Sequence, residues 1–206
     1  MNVEQAMAEC PVVAIIRGVK PDEVLEIAEA LHRGGIRVVE VPLNSPDPLE
    51  SIARLVREWG DRLACGAGTV LSPEKVDAVA DTGAQVLVSP NTDPAVIRRA
   101  VERGLTPMPG FGSASEAFTA YAAGARWLKL FPASSYGPAH VKALRAVLPA
   151  DAKVLAVGGA GPSNMAEWLS AGAAGFGLGS ELYRPGQGAA ETLEKARAAV
   201  AAARRG

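Results

Sequence analysis

"VVEVPLNSPDPLESIARLVREWGDRLACGAGT", residues 38–69, contains one full period of the chain. Val38 to Leu43 is a short run rich in β-branched residues and reads as a strand. The amphipathic segment from about Pro46 to Trp59 reads as a helix. Leu63 to Thr69 is the next strand. A strand, a helix and a second strand in this spacing form a unit whose two strands lie parallel.

The same unit repeats in both directions. Upstream, Val12 to Arg17 is a strand, followed by the helical "PDEVLEIAEALHRGG", with Pro21 in its first turn and Gly34-Gly35 at its end. Downstream, Ser72 is a helix N-cap and Pro73 the first helical residue. Val86 to Asn91 leads into "DPAVIRRAVERG". Thr106 to Phe111 leads into "SASEAFTAYAAG", where Ser113 and Glu116 form a capping-box pattern. "WLKLFP" (Trp127 to Pro132), Lys153 to Gly159, and Ala173 to Ser180 are the last strands, and the final helix runs from Ala189 to Ala203. The pattern predicts eight strand–helix rounds with no long linker. Near-continuous apolar strands are buried on both faces. The expected fold is an α/β single-domain (β/α)8 TIM barrel over residues 1–206, at the compact end for that architecture. An open doubly wound sheet is the alternative; it has fewer rounds, and no GxGxxG follows the first strand.

Apolar residues make up 49% of the chain, enough for a large core, and the formal net charge is -1. That balance gives no electrostatic case for nucleic acid or an anionic membrane. The terminal "ARRG" reads as a solvated tail. Cys10 and Cys65 are the only two cysteines, and neither lies in a CxxC. With no signal-peptide pattern and no long apolar run, a reducing, cytoplasmic location and no membrane partner are expected.

In such barrels the site lies at the C-terminal ends of the strands. The polar residues there are Arg17, Glu40, Asn44, Thr69, Ser89-Pro90-Asn91, Lys129, Gly158-Gly159 and Gly179-Ser180. Lys129 sits in the apolar run "RWLKLFP". An edge-strand lysine pointing to solvent is one reading, which a closed barrel without edges weakens; a core ion pair and a functional amine are the others. A buried lysine loses its proton near neutral pH. The free amine attacks a ketone to form a Schiff base. Glu40 stands equally isolated in "VVEVPL", either paired with Arg17 or Lys129 or acting as a general acid/base with a raised pKa. Alternation puts Glu40 on the face of Val38 and Pro42, and Lys129 on the face of Trp127 and Phe131; spacing does not decide whether those faces meet. Arg17 suits a carboxylate clamp. "VGGAGPSN" and "GLGS" are either tight turns or a phosphate site built from backbone N–H groups. His32 and His140 lie on helices, and there is no HxH, HExxH or acidic cluster, so neither a metal nor any other cofactor is expected.

These motifs, from "AIIRG" and "VVEVPLNSP" through "GAGTVLSPEKVD", "VSPNTDPAVIRRAVERG", "PGFGSASEAFTAYAAGA", "LKLFPASSYGPAHVKAL", "AVGGAGPSNMAEWLSAGAAGFGLGS" and "LYRPGQ", occur in an order that resembles the KDPG/KDPGal class I aldolases. The resemblance covers about residues 11–187. It implies a metal-free homotrimeric barrel that cleaves a phosphorylated 2-keto-3-deoxy sugar acid to pyruvate and D-glyceraldehyde 3-phosphate. It implies Lys129 as the Schiff-base lysine and Glu40 as the general acid/base. Arg17 and Thr69 match substrate-binding positions, Gly159 and Ser180 the phosphate end, and Pro90, Phe131, Val157, Gly158 and Gly179 complete the expected binding set. The gluconate type resembles "EVTLRT" after the second strand and has a threonine before the Gly-Gly pair. Here Asn44 and Val157 stand instead, as in the galactonate type. An apolar wall discriminates less between epimers than one that hydrogen-bonds a hydroxyl, so a galactonate preference with some gluconate activity is expected. The alternatives are a gluconate-preferring or broad 2-keto-3-deoxy sugar acid aldolase, a phosphosugar isomerase or epimerase using Glu40 without an imine, and a catalytically silent binding barrel.

Overall fold

All strand pairings run parallel, and their order follows the chain round a ring. The structure, a computed structural model, describes residues 1–204, so residues 205–206 of the expected tail lie outside the described residues. Helix α1 (Val3–Glu9) precedes β1 (Val12–Ile15), α2 (Val24–Arg33), β2 (Val38–Pro42), α3 (Pro48–Trp59), β3 (Ala64–Gly68), α4 (Pro73–Ala80) and β4 (Val86–Val88). Then come α5 (Pro94–Glu102), β5 (Thr106–Met108), β6 (Gly110–Phe111), α6 (Ala114–Ala122), β7 (Trp127–Leu130) and α7 (Pro138–Arg145). The chain ends with β8 (Lys153–Val157), α8 (Met165–Ser170), β9 (Gly175–Leu178) and α9 (Ala189–Ala203). The order β5-β4-β3-β2-β1-β9-β8-β7-β6 makes a nearly closed barrel wrapped by helices.

The predicted fifth strand is two pieces. β5 pairs with β4 and β6 pairs with β7, so the break at Pro109 is where the ring comes together. Proline has no N–H to give a ladder. Its carbonyl still accepts from Lys129 N at 2.9 Å, which carries the seam across to β7. Nine short strands therefore occupy the eight expected positions.

Strand alternation sorts the core into two layers. Val12, Ala14, Val39, Val41, Leu128 and Leu130 face outward against the helices. Val13, Ile15, Val38, Ala64, Val86, Met108, Trp127 and Leu155 fill the barrel interior. Glu40 follows Val38 by two residues and Lys129 follows Trp127 by two, so both side chains enter the interior layer.

Helix α1 was not foreseen. Its Val3, Ala6 and Met7 join the interior cluster, packed against residues that begin the strands. Trp127 Nε1 donates to Glu4 Oε1 at 2.7 Å, and Lys153 pairs with the same carboxylate. This helix stops the N-terminal end of the barrel. The expected caps are present: Ser72 accepts from Lys75 N, and Ser113 and Glu116 form the reciprocal box. Helix α2 begins at Val24 rather than at Pro21, because Lys20 O accepts from both Glu23 N and Val24 N and holds the preceding residues as a turn.

Candidate active site

At the C-terminal ends of the strands lies a cavity of about 350 Å³. Its lining includes Arg17, Glu40, Thr69, Pro90, Lys129, Phe131, Val157, Gly158, Gly159, Gly179 and Ser180. Residues from nearly every round of the chain thus converge on one opening, although of these eleven only Glu40, Lys129 and Val157 lie within strands. The turns and loops that follow the strands supply the others.

Glu40 and Lys129 reach the cavity floor from non-adjacent strands, 2% and 8% exposed. Desolvation pushes the Glu40 carboxyl up to about 7, against the opposing pull of the Lys129 and Arg17 charges. Desolvation moves the Lys129 amine below its ordinary value, Glu40 resists that shift, and Arg17 adds to it. Burial penalises both charged forms, which favours the neutral carboxyl and the neutral amine. Glu40 Oε2 is buried with no hydrogen-bond partner among the described residues. Lys129 Nζ lies over the Phe131 ring, 4.7 Å from its centre.

Arg17 stands exposed just past β1 and donates from Nη1 to Asn44 Oδ1 beyond β2. Gly18 N donates to Ser45 Oγ at 2.9 Å, so the two turns are tied twice. Asn44 therefore orients the guanidinium without neutralising it and leaves its charge for an anion in the cavity. Thr69 has φ +57°, a left-handed conformation uncommon for a branched residue. Pro90 is held in a short turn by Ser89 Oγ donating to Asn91 O at 2.9 Å.

Gly158 and Gly159 have φ +86° and +85°. Ser134 N donates to Gly158 O at 2.9 Å, and Asn164 Nδ2 to Gly159 O at 2.8 Å. A Cβ on Gly159 would meet Ser134 Cβ at 2.6 Å. Both conformation and space therefore require glycine there.

The sequence reading missed Ile15, Ala160, Gly177, Glu181, Tyr183, Arg184 and Pro185, which also line the cavity. Ile15 and Gly177 are inward-facing apolar residues with no chemical signature. The stretch from Glu181 to Pro185 is the loop after β9. It is seated by Pro185, whose Cγ would be 2.6 Å from a Cβ on Gly18. That glycine, next to Arg17, was the available signal. Both histidines lie outside the cavity lining: His32 packs against Trp59, and His140 Nε2 lies 2.9 Å from Gly112 O. Among the described residues no group of three or more His, Cys, Asp or Glu could hold a metal ion, and no helix is long and apolar enough to cross a membrane.

Known proteins resemble this chain in sequence and fold. Residues 3–197 match the family described as KDPG and KHG aldolase. The chain is 52% identical over 200 residues to the 2-dehydro-3-deoxy-6-phosphogalactonate aldolase of Escherichia coli K12, covering 97% of this chain and 98% of that protein. It superposes on a native KDPGal structure with a TM-score of 0.93, at 52% identity and 94% coverage of each chain. A KDPG aldolase from Legionella pneumophila, with pyruvate captured as a covalent carbinolamine, gives a TM-score of 0.84 at 29% identity, covering 95% of this chain and 96% of that one. By fold, sequence and extent of match, this chain is an aldolase and belongs to the KDPG and KHG aldolase family.

Proposed function

We propose that this chain is a class I aldolase that cleaves 2-dehydro-3-deoxy-6-phospho-D-galactonate to pyruvate and D-glyceraldehyde 3-phosphate through a Schiff base on Lys129. The observation that carries the reading is the pairing of a buried amine with a buried carboxyl on the floor of one cavity. The neutral Lys129 amine attacks the C2 ketone. Glu40 moves protons as the carbinolamine loses water, then takes the C4 hydroxyl proton as the C3–C4 bond breaks. The iminium accepts the electron pair of that bond, and the enamine is then protonated and hydrolysed to release pyruvate. Arg17 binds the carboxylate, and Thr69 and Phe131 shape the pyruvate end. Gly158, Gly159, Gly179 and Ser180 receive the phosphate through backbone N–H groups and a hydroxyl. The carbinolamine captured in the Legionella relative supports the covalent step. The reading includes a homotrimer, on the family resemblance.

Sodium borohydride reduction with excess pyruvate, read by intact-mass and peptide mass spectrometry, tests it. A reduced pyruvate adduct on Lys129 is expected. A folded protein that gains no adduct, with pyruvate in excess, would overturn the Schiff-base mechanism.

Val157 is buried in the cavity wall and offers a substrate hydroxyl nothing to bond. Val157→Thr is expected to change the ratio of kcat/KM for the galactonate and gluconate epimers by roughly tenfold toward gluconate, the order of one added hydrogen bond. An unchanged ratio would remove Val157 from the specificity argument.

A further inference from the structure

Strand β3 turns a nearly bare face into the barrel: Ala64, Gly66 and Gly68. The two glycines have different causes. A Cβ on Gly66 would lie 1.9 Å from Val86 O, so that residue lets the β4 backbone approach. A Cβ on Gly68 would meet no backbone atom among its three nearest neighbours. It would fall 2.0 Å from Glu40 Oε2, 2.4 Å from Cδ and 2.5 Å from Oε1. Gly68 lies within a strand, outside the left-handed region, so its conformation does not call for glycine either. The space above its Cα is filled by one carboxyl group.

From this geometry we infer that Gly68 is a positioning residue for Glu40, its missing side chain being the socket that holds the catalytic carboxyl in the barrel interior. Glu40 pairs in register with Gly66, so Gly68 is its diagonal neighbour one step closer to the mouth. Oε2 has no hydrogen-bond partner among the described residues, so directional bonding does not fix it. The charges facing the carboxyl are Lys129 of β7 and Arg17 beyond β1, and both favour its anionic form. The carboxyl nonetheless sits in the space that a side chain on Gly68 would take. Filling the socket moves the far end of a flexible side chain toward an open cavity, which the fold tolerates and proton transfer does not. The inference rests on the proposed role of Glu40, and its test separates the two.

Gly68→Ala is expected to keep a thermal midpoint near that of the wild type. The pyruvate adduct on Lys129 should still form under borohydride, while kcat falls about 10²-fold, as for a reacting group displaced by an ångström or so. A carboxyl pushed toward solvent titrates lower, so the acid limb of kcat/KM should move down in pH, which a merely structural defect would not do. Combining Gly68→Ala with Glu40→Asp shortens the carboxyl side chain by one methylene and makes room for the new Cβ. The double variant should lose at least tenfold less activity than the product of the two single losses. If Gly68→Ala fails to fold, the double variant should recover folding by the same argument. Wild-type kcat and an unmoved limb in Gly68→Ala, or strictly multiplicative losses, would overturn the inference. Absence of an adduct in the wild type would instead overturn the Schiff-base reading.

Discussion

Lys129→Met is expected to lower cleavage activity by at least about 10⁴-fold, because the substituted chain has no amine on the cavity floor to form an imine. Methionine keeps the apolar stem of the lysine in a site only 8% exposed, so the barrel should stay folded. A second effect follows from charge. The Lys129 ammonium is the larger of the two influences holding the Glu40 carboxyl down to about 7, so its removal drives that carboxyl higher still. A carboxyl raised in the folded state favours folding fully only below its unfolded value, and that contribution is lost as pH rises through the folded one. The variant should therefore lose thermal stability between about pH 5 and 8 more steeply than the wild type. Pyruvate release, adduct mass and melting curves across pH check all three expectations. More than one part in about a hundred of residual cleavage, or an adduct elsewhere with normal turnover, would sink the assignment of Lys129.

Glu40→Gln is expected to cost about 10² to 10⁴-fold in kcat, the usual worth of a positioned general acid/base. The amide preserves shape and packing against Gly68 but cannot accept the C4 hydroxyl proton. In the wild type kcat/KM should rise with pH through a limb near 7, as the buried carboxyl becomes the anionic base. That limb should vanish in the amide variant. Imine formation should slow without stopping, since Lys129 keeps its amine. Without the carboxylate that resists its downward shift, the amine should also be neutral over a wider range. A variant that turns over normally, or retains the limb, would remove Glu40 from the proton path.

Lys129 and Glu40 were legible in the sequence because a charge inside an apolar strand is costly and needs a reason. Alternation gave each its face, but only ring closure makes those faces one interior, and closure is a property of the whole sheet. Pro109 shows the limit of a local reading. "TPMPGF" has strand composition throughout, yet its second proline ends one pairing and begins another. Helix α1 was missed for a different reason. Val3, Ala6 and Met7 are ordinary residues in a short segment, and they matter because the open base of the barrel needs a cover. The loop from Glu181 to Pro185 carries no recognisable chemistry. Its place beside Arg17 comes from the contact of Pro185 with Gly18, 167 residues apart (185 − 18).

That cover has a kinetic corollary. With α1 packed on the base of the interior, the cavity at the C-terminal ends of the strands is the doorway the proposed substrate would use, ketone end innermost and phosphate end at the rim. After bond scission the pyruvate fragment is tethered to the floor and the phosphorylated aldehyde stands between it and solvent. On the proposed mechanism the traffic is that of a blind alley: the aldehyde is expected to depart first and pyruvate last. In the condensing direction pyruvate enters first, and the aldehyde meets an enamine already formed behind it.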